Sequence, residues 1–374
     1  MNLSIVGSFV ILMSLLPAAG EGQDSGLHRT LKVGPGGDLR VSLAEGNVRV
    51  SGWDRNEVAV RVNGASDEES GCLDVSQQGN TVRVSIGGGC DFSELEISVP
   101  SKFNIDIRTA SGDIEVNGPL TGSIRGSTSG GGIQLGNLGG RVEMQTAGGD
   151  ISAGDIQGDA DLATQGGNVS VGKVSGTTEI TSSGGDISVS GSGGRLKVHT
   201  SGGNITIGNV GATADVETTG GDVEVGDVAG NVTIATAGGN IALRSSHGTT
   251  SASTAGGDIR LESVIGSVNA ETAGGNVVAR LTPHGRSNLS SNGGEIGLYL
   301  PADAKVTVNA RVILSDEDAG GSVGIESDFP IDNAVRSESG VIIEGSIKVN
   351  GGGDTVQLET RDGRILVRKG KIRD

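Results

Sequence analysis

From Thr128 onward the chain repeats itself every 18 residues, and this period constrains its fold more than any other feature. Thr128, Thr146, Thr164, Ser182, Thr200, Thr218, Thr236, Thr254 and Thr272 recur without a slip. Two residues after each comes a glycine pair, running from Gly148-Gly149 through Gly274-Gly275. Copies beginning at Thr109 and Ser291 stand one residue out of frame. A fixed period of this length means a stack of small units, none able to bury its apolar face alone.

Counting the Thr as position 1, apolar residues fall at positions 6, 8, 11, 15 and 17. In one unit these are Val223, Val225, Val228, Val232 and Ile234. Spacings of two are those of strands with one buried face, and no helical period competes with them. Each unit therefore reads as two short strands and two corners. One corner lies at the glycine pair, the other near Gly158, Gly176, Gly194, Gly230, Gly248 or Gly266. Glycine is expected there because tight corners call for positive φ. With 68 Gly but only 7 Pro and no Gly-X-Y triplet, collagen is excluded. One Trp, one Tyr and four Phe suit a thin aliphatic interior. The fold class is all-β: a two-strand-per-turn β-solenoid flanked by β-rich caps. About ten turns at ~4.8 Å would span roughly 45–50 Å.

Two polar columns follow from the register. The Thr column shares the parity of the buried positions, so its hydroxyls need partners on a neighbouring rung or at a corner. The second column is Asp150, Asn168, Asp186, Asn204, Asp222, Asn240, Asp258 and Asn276, then Glu295. Identical acids one rung apart would repel by ~3.5 kcal/mol at an effective dielectric of 20, before solvent screening. Alternation doubles their spacing and lets an amide donate to each carboxylate. A structural ladder is the reading adopted, with a row of cation sites as its rival. Calcium β-rolls repeat G-G-x-G-x-D in every half-turn. Here a glycine pair followed by Asp or Asn occurs once per full turn and half of those acids are Asn, so neither metal nor cofactor is expected.

A stack exposes unpaired strand edges at both ends, which caps must cover. The expected organisation is a signal peptide over residues 1–22, an N-terminal β cap over 23–105, solenoid repeats over 106–300 and a C-terminal β cap over 301–374. The apolar run from Leu3 to Leu16 is short for a membrane span and leads into Pro17-Ala18-Ala19-Gly20, a small-residue cleavage region. No transmembrane span is expected in the mature chain. Export places Cys72 and Cys90 in an oxidising compartment. They flank a predicted hairpin around Gln77-Gln78-Gly79-Asn80 that would bring them together as a disulfide.

Several segments together resemble the bacterial DUF4097 family of candidate adhesins. Val33-Gly34-Pro35-Gly36-Gly37-Asp38-Leu39 and Gly46-Asn47-Val48-Arg49-Val50-Ser51-Gly52-Trp53-Asp54 are similar to its opening strands. Ile97-Ser98-Val99-Pro100 leading into Thr109-Ala110-Ser111-Gly112-Asp113-Ile114 resembles its passage into the repeats. Leu300-Pro301-Ala302-Asp303-Ala304, Ser327-Asp328-Phe329-Pro330 and Thr360-Arg361-Asp362-Gly363-Arg364-Ile365 resemble its closing segments. The resemblance implies a β-solenoid-like envelope protein, periplasmic or at the cell surface, and brings no catalytic residues with it.

The formal charge of −17 argues against nucleic acid as a partner, because phosphate binding draws on clustered Lys and Arg. It would also repel anionic membranes and glycans. Catalysis has little to build on. His28, His199, His247 and His284 are scattered, and the acids Asp155, Asp159 and Asp161 cluster no more than 45 Asp and Glu would by chance. The expectation is a non-enzymatic exported envelope protein, an adhesin or structural repeat protein, partnered by an envelope or surface glycan or protein. The alternative is a polysaccharide-processing β-helix enzyme. One segment stands apart in charge: Arg361, Arg364, Arg368, Lys369, Lys371 and Arg373 gather positive charge at the C-terminal end, where they would dock an anionic partner.

Overall fold

The computed structural model describes residues 27–64, 73–87, 92–315, 324–337 and 341–370. The proposed signal peptide, Cys72, Cys90, Lys371 and Arg373 lie outside the described residues. Within them the chain is built of strands. Each 18-residue unit contributes one strand to each of two sheets. Val223–Val228 and Val232–Ala235, for example, stack on Ile205–Val210 and Ala214–Thr218 of the unit before. Pairing is parallel because the coil returns in the same direction on every turn. The apolar residues at alternating positions meet between the sheets; Val223, Val225, Val228, Val232 and Ile234 are all buried. At one position a larger side chain is matched to a smaller one on the adjacent rung. Met144 lies opposite Gly126, where an added Cβ would come within 2.6 Å of its sulfur.

At two places in the interior, away from the glycine corners, buried hydroxyls pair with each other. Thr178 and Ser192 are 2.9 Å apart, Ser246 and Thr250 2.7 Å, all four buried. This satisfies groups that would otherwise lose their hydrogen bonds to water.

One sheet has seventeen strands. All but Leu27–Lys32 and Glu57–Asn63, which pair antiparallel at one edge, run in parallel register, leaving fifteen. The other sheet likewise holds fifteen parallel strands. Its pairings run in a single line from Leu73–Gln78 to Asp332–Arg336, so it is open rather than a closed barrel. Fifteen turns at ~4.8 Å extend roughly 65–70 Å, longer than the repeats alone suggest. The extra turns come from segments expected as caps.

The ends are assembled out of chain order. The first turn, Asp38–Glu45 with Asn47–Trp53, lies between Thr81–Ile86 with Glu94–Pro100 on one side and Asn104–Ser111 with Ile114–Asn117 on the other. The last turn, Asp354–Arg361 with Arg364–Lys369, is likewise enclosed between Ser287–Ser291 with Ile296–Leu300 and Val306–Ile313 with Gly324–Ser327. Antiparallel strands cover the outermost rungs: Leu73–Gln78 at one end, Ile342–Val349 and Asp332–Arg336 at the other. The hairpin predicted around Gln77-Gln78-Gly79-Asn80 is present, with Gly79 at φ 60°.

The reason for the glycine pairs differs from the expectation. None of them adopts positive φ. Their constraint is close approach: a Cβ on the second glycine of each pair would lie about 2 Å from the carbonyl oxygen of its counterpart one turn earlier. For Gly185 the distance to the Gly167 oxygen is 2.1 Å, for Gly221 to Gly203 also 2.1 Å. The first glycine is freer; a Cβ on Gly184 would meet nothing nearer than 3.5 Å. At the opposite corner positive φ does occur, at Gly248 and Gly266, yet Ala212 takes the equivalent place in another turn.

The two positions of one pair should therefore respond very differently to the same methyl group. Gly184→Ala is expected to cost under about 1 kcal/mol, Gly185→Ala about 3 kcal/mol or more. Urea unfolding of the two variants measures this, and equal costs would refute close approach as the cause.

Candidate functional site

The polar side chains that recur with the repeat are engaged in holding successive turns together. At each glycine corner the Thr or Ser hydroxyl donates to the carbonyl of the second glycine one turn earlier. Thr164 reaches Gly149 at 2.9 Å, Ser182 reaches Gly167 at 3.0 Å and Thr254 reaches Gly239 at 2.8 Å. The same oxygen accepts the N–H of its own turn's second glycine, as from Gly167 at 3.1 Å and Gly185 at 3.0 Å. Both buried main-chain groups of the corner are thereby satisfied.

The Asp and Asn column works in a similar way, through Oδ1. Asp150 accepts the main-chain N–H of Asn168 at 2.7 Å, and Asn168 that of Asp186 at 2.8 Å. The pattern continues through Asp186, Asn204, Asp222, Asn240, Asp258 and Asn276, which accepts from Glu295. Acid and amide interchange because each supplies the same acceptor oxygen. The amide-to-carboxylate bond expected at every Asn occurs at Asn240 to Asp222 and Asn276 to Asp258, both 3.1 Å. The column also extends backward: Asn47 accepts from Asp113, and Asp113 from Gly132. Gly132 interrupts it, offering no oxygen to Asp150, although a Cβ there would meet nothing nearer than 3.5 Å.

Two shorter columns of the same kind were not legible in the repeat. Asn137 and Asp155 accept from Asp155 and Lys173, both at 2.8 Å. Asp159 accepts from Thr177 at 2.8 Å and Asn231 from Thr249 at 2.9 Å. Their signal was a short Asx residue beside a corner. Asp161 has another environment: Glu143 and Glu179 occupy the rungs on either side of it. Burial, then Glu179 and Glu143, push its carboxyl above the ordinary carboxylate range, with Arg141 opposing.

Two arginines of the basic C-terminal segment are held in ion pairs. Arg364 donates to Glu295 at 3.0 Å and 2.6 Å and lies 3.7 Å from Glu326. Arg368 reaches Glu326 at 2.7 Å and Asp328 at 3.1 Å. The Lys369 main-chain N–H also binds Asp328, while its Nζ lies 5.1 Å over the Phe329 ring. Lys369, then Arg368, hold the Asp328 carboxyl below its usual range. Arg361 makes no ion pair among the described residues. Two of the six expected docking charges therefore clamp the enclosed last turn to its neighbours.

What remains outward is a pair of long polar faces. On the seventeen-stranded sheet, Ser152, Ser170, Ser188 and Thr206 follow one another on successive rungs. Beside them Gly208 and Gly226 help form a shallow groove of ≈ 640 Å³, with Arg244 at one side. Arg244 is tied down by Asp227 at 2.8 Å and Asn209 at 2.7 Å.

The sequence profile described as Toastrack DUF4097 matches residues 36–226 and 190–368, nearly the whole described stack. The chain belongs to the DUF4097 family. Among solved structures, a candidate cell adhesion protein from Clostridium sporogenes ATCC 15579 is similar over 92% of this chain and 100% of its own, at 10% identity and TM-score 0.18. A candidate adhesin from Bacteroides fragilis NCTC 9343 is 16% identical over 63% of this chain and 93% of its own, with TM-score 0.26. One from Parabacteroides merdae ATCC 43184 is 9% identical over 92% and 97%, with TM-score 0.24. No curated protein matches the chain. For this DUF4097 protein, as for any stack, the columns dictate what substitution does.

Gly132→Asn should complete the column and raise stability by about 1 kcal/mol, while Asn204→Ala should lower it by a similar amount. Thermal unfolding of both variants tests the pair; a destabilised Gly132→Asn would contradict the bonding scheme. For Asp161 the sign is set by its raised folded-state value: ionisation costs stability at neutral pH, and the cost vanishes below the unfolded value. Asp161→Asn should therefore stabilise at pH 7 by under about 1 kcal/mol, and no longer do so near pH 3. A gain independent of pH would show that charge is not the cause.

Proposed function

We propose that this protein is a non-enzymatic, exported envelope protein that acts as an adhesive or structural rod, periplasmic or at the cell surface. The observation that carries the reading is the division of labour in each turn. Recurrent Thr, Asp and Asn side chains are bound to the main chain of a neighbouring turn, leaving two flat polar faces repeated over fifteen turns. Such a surface suits extended contact with an envelope glycan or protein. Membership of DUF4097 and the expected N-terminal signal peptide support export. The reading as a polysaccharide-processing enzyme gains nothing from the corner acids. Asp155 and Asp159 bind the N–H groups of Lys173 and Thr177, and Asp161 stands between two glutamates.

Docking through the basic C-terminal segment belongs to the same proposal, carried by Arg361 and the residues after Lys369 rather than by Arg364 and Arg368. The test is binding of the mature chain, residues 23–374, to glycans and isolated envelope fractions at low and moderate salt, with calcium or chelator. Saturable binding to one component supports the adhesive reading; turnover of any polysaccharide would overturn it. Arg361→Glu should weaken low-salt association without altering unfolding, whereas Arg368→Glu should lower the unfolding midpoint. The reverse pattern would remove the docking role.

A further inference from the structure

At the C-terminal end of the second sheet, polar residues from distant parts of the chain are set side by side on the outer face. Because the last turn is inserted out of order, Asn288 lies opposite Gln357, Gln357 opposite Asn309, and Asn309 opposite Ser346. A second row runs beside it: Glu359 faces Arg311, and Arg311 faces Glu344. Strand spacing puts successive members ~4.8 Å apart. The rows line a groove of ≈ 440 Å³, within the size range of small-ligand sites.

Two features distinguish this groove from the satisfied columns of the stack. The Arg311 Nε is buried yet makes no hydrogen bond among the described residues. Glu344 stands 3.4 Å from it and Glu359 3.6 Å from Nη1, near enough to hold the guanidinium by charge but outside good hydrogen-bond geometry. A buried donor left unpaired calls for an explanation. The second feature is the rim. Asn333 adopts φ 55° beside a bulge between Asp332 and Val335 in the edge strand, a device that re-aims a side chain and clusters at functional positions.

We propose that this groove binds a neutral carbohydrate, one or two sugar units seated across the strands of Asn288, Gln357, Asn309 and Ser346. The chemistry selects the class. Beside the bonds from Ser346 to Asn309 Oδ1 at 3.3 Å and from Asn288 Nδ2 to Asn269 at 3.2 Å, the amides present further donors and acceptors, and Arg311 between two glutamates presents donors flanked by acceptors, which matches the adjacent hydroxyls of a sugar. One guanidinium against two carboxylates leaves the groove with a net negative charge, unfavourable to phosphate or uronate. Both carboxylates already face Arg311, which disfavours a divalent cation. Polar side chains pave the groove, so an apolar peptide anchor has no pocket. The inference deepens the envelope-binding reading and rests on it only for the source of the sugar.

The experiment is titration of the full mature chain with neutral oligosaccharides (gluco-, manno- and N-acetylglucosamine series), with oligogalacturonate and inorganic phosphate as charged controls. It is repeated on Asn309→Ala/Gln357→Ala, and on Thr219→Ala, at an exposed glycine corner where other turns carry Ala, as a control. The expected result is saturable, salt-insensitive binding of at least one neutral series. It should weaken by about ten-fold or more in the double variant, since losing two hydrogen bonds to hydroxyls is worth that much, and be unchanged in Thr219→Ala. All three proteins should share one unfolding midpoint. Binding of envelope fractions without any neutral oligosaccharide, or binding that survives the double variant, would overturn the groove and leave the envelope reading standing. Groove binding without envelope binding would uphold the groove and overturn that reading.

Discussion

The close approach of one glycine corner to the next is the contact on which the rest of the structure depends. At Gly185 three features coincide. Its missing Cβ leaves room for the Gly167 carbonyl, its N–H is bound by Ser182, and the Ser182 hydroxyl also donates to that carbonyl. A side chain at the second glycine would separate the turns locally and break the hydroxyl bridge. The corners thus set the rung spacing, and the aliphatic interior fills whatever width they leave. In the repeats that width is filled mainly by Val, Ile, Leu and Ala, with Met144 set opposite a glycine on one side.

Corner chemistry also decides where function can reside. Short side chains beside the corners have their Oδ1 atoms drawn onto main-chain N–H groups, so the alternating Asp and Asn column fastens each turn to the next. Chemistry open to partners must lie on the outer faces of the strands or where the regular coil is interrupted. The enclosed first and last turns create such interruptions. They bring together side chains that the 18-residue period could never juxtapose, as with Asn288, Gln357, Asn309 and Ser346.

Much of the architecture could be read from the sequence because its determinants are local and repeated. Alternating Val and Ile positions located the strands, and the parity of Thr128 to Thr272 located the buried hydroxyls. The source of the glycine requirement was not legible, because positive φ and close approach select the same residue. Only the distance from Gly185 to the Gly167 oxygen separates them. The insertion of Asp354–Lys369 beside Ser287–Leu300 was hidden for another reason: Thr360 and Gly363 resemble a repeat corner, but sequence does not say which turn it stacks upon. The same ambiguity concealed the pairing of Arg364 and Arg368 with Glu295, Glu326 and Asp328, leaving them to be read as free charge.

The most direct test of this account is residue-resolved hydrogen exchange at the glycine corners of the intact protein. The main-chain N–H groups of Asp186, Asn204 and Asp222 lie at exposed corners but are bound by the preceding Asn or Asp. They should exchange as slowly as those of the flanking strands. Asp150 is the internal control, since Gly132 before it has no oxygen to offer, and its N–H should exchange much faster. Equal, rapid exchange at all four would show that the column does not fasten the turns and would contradict the account.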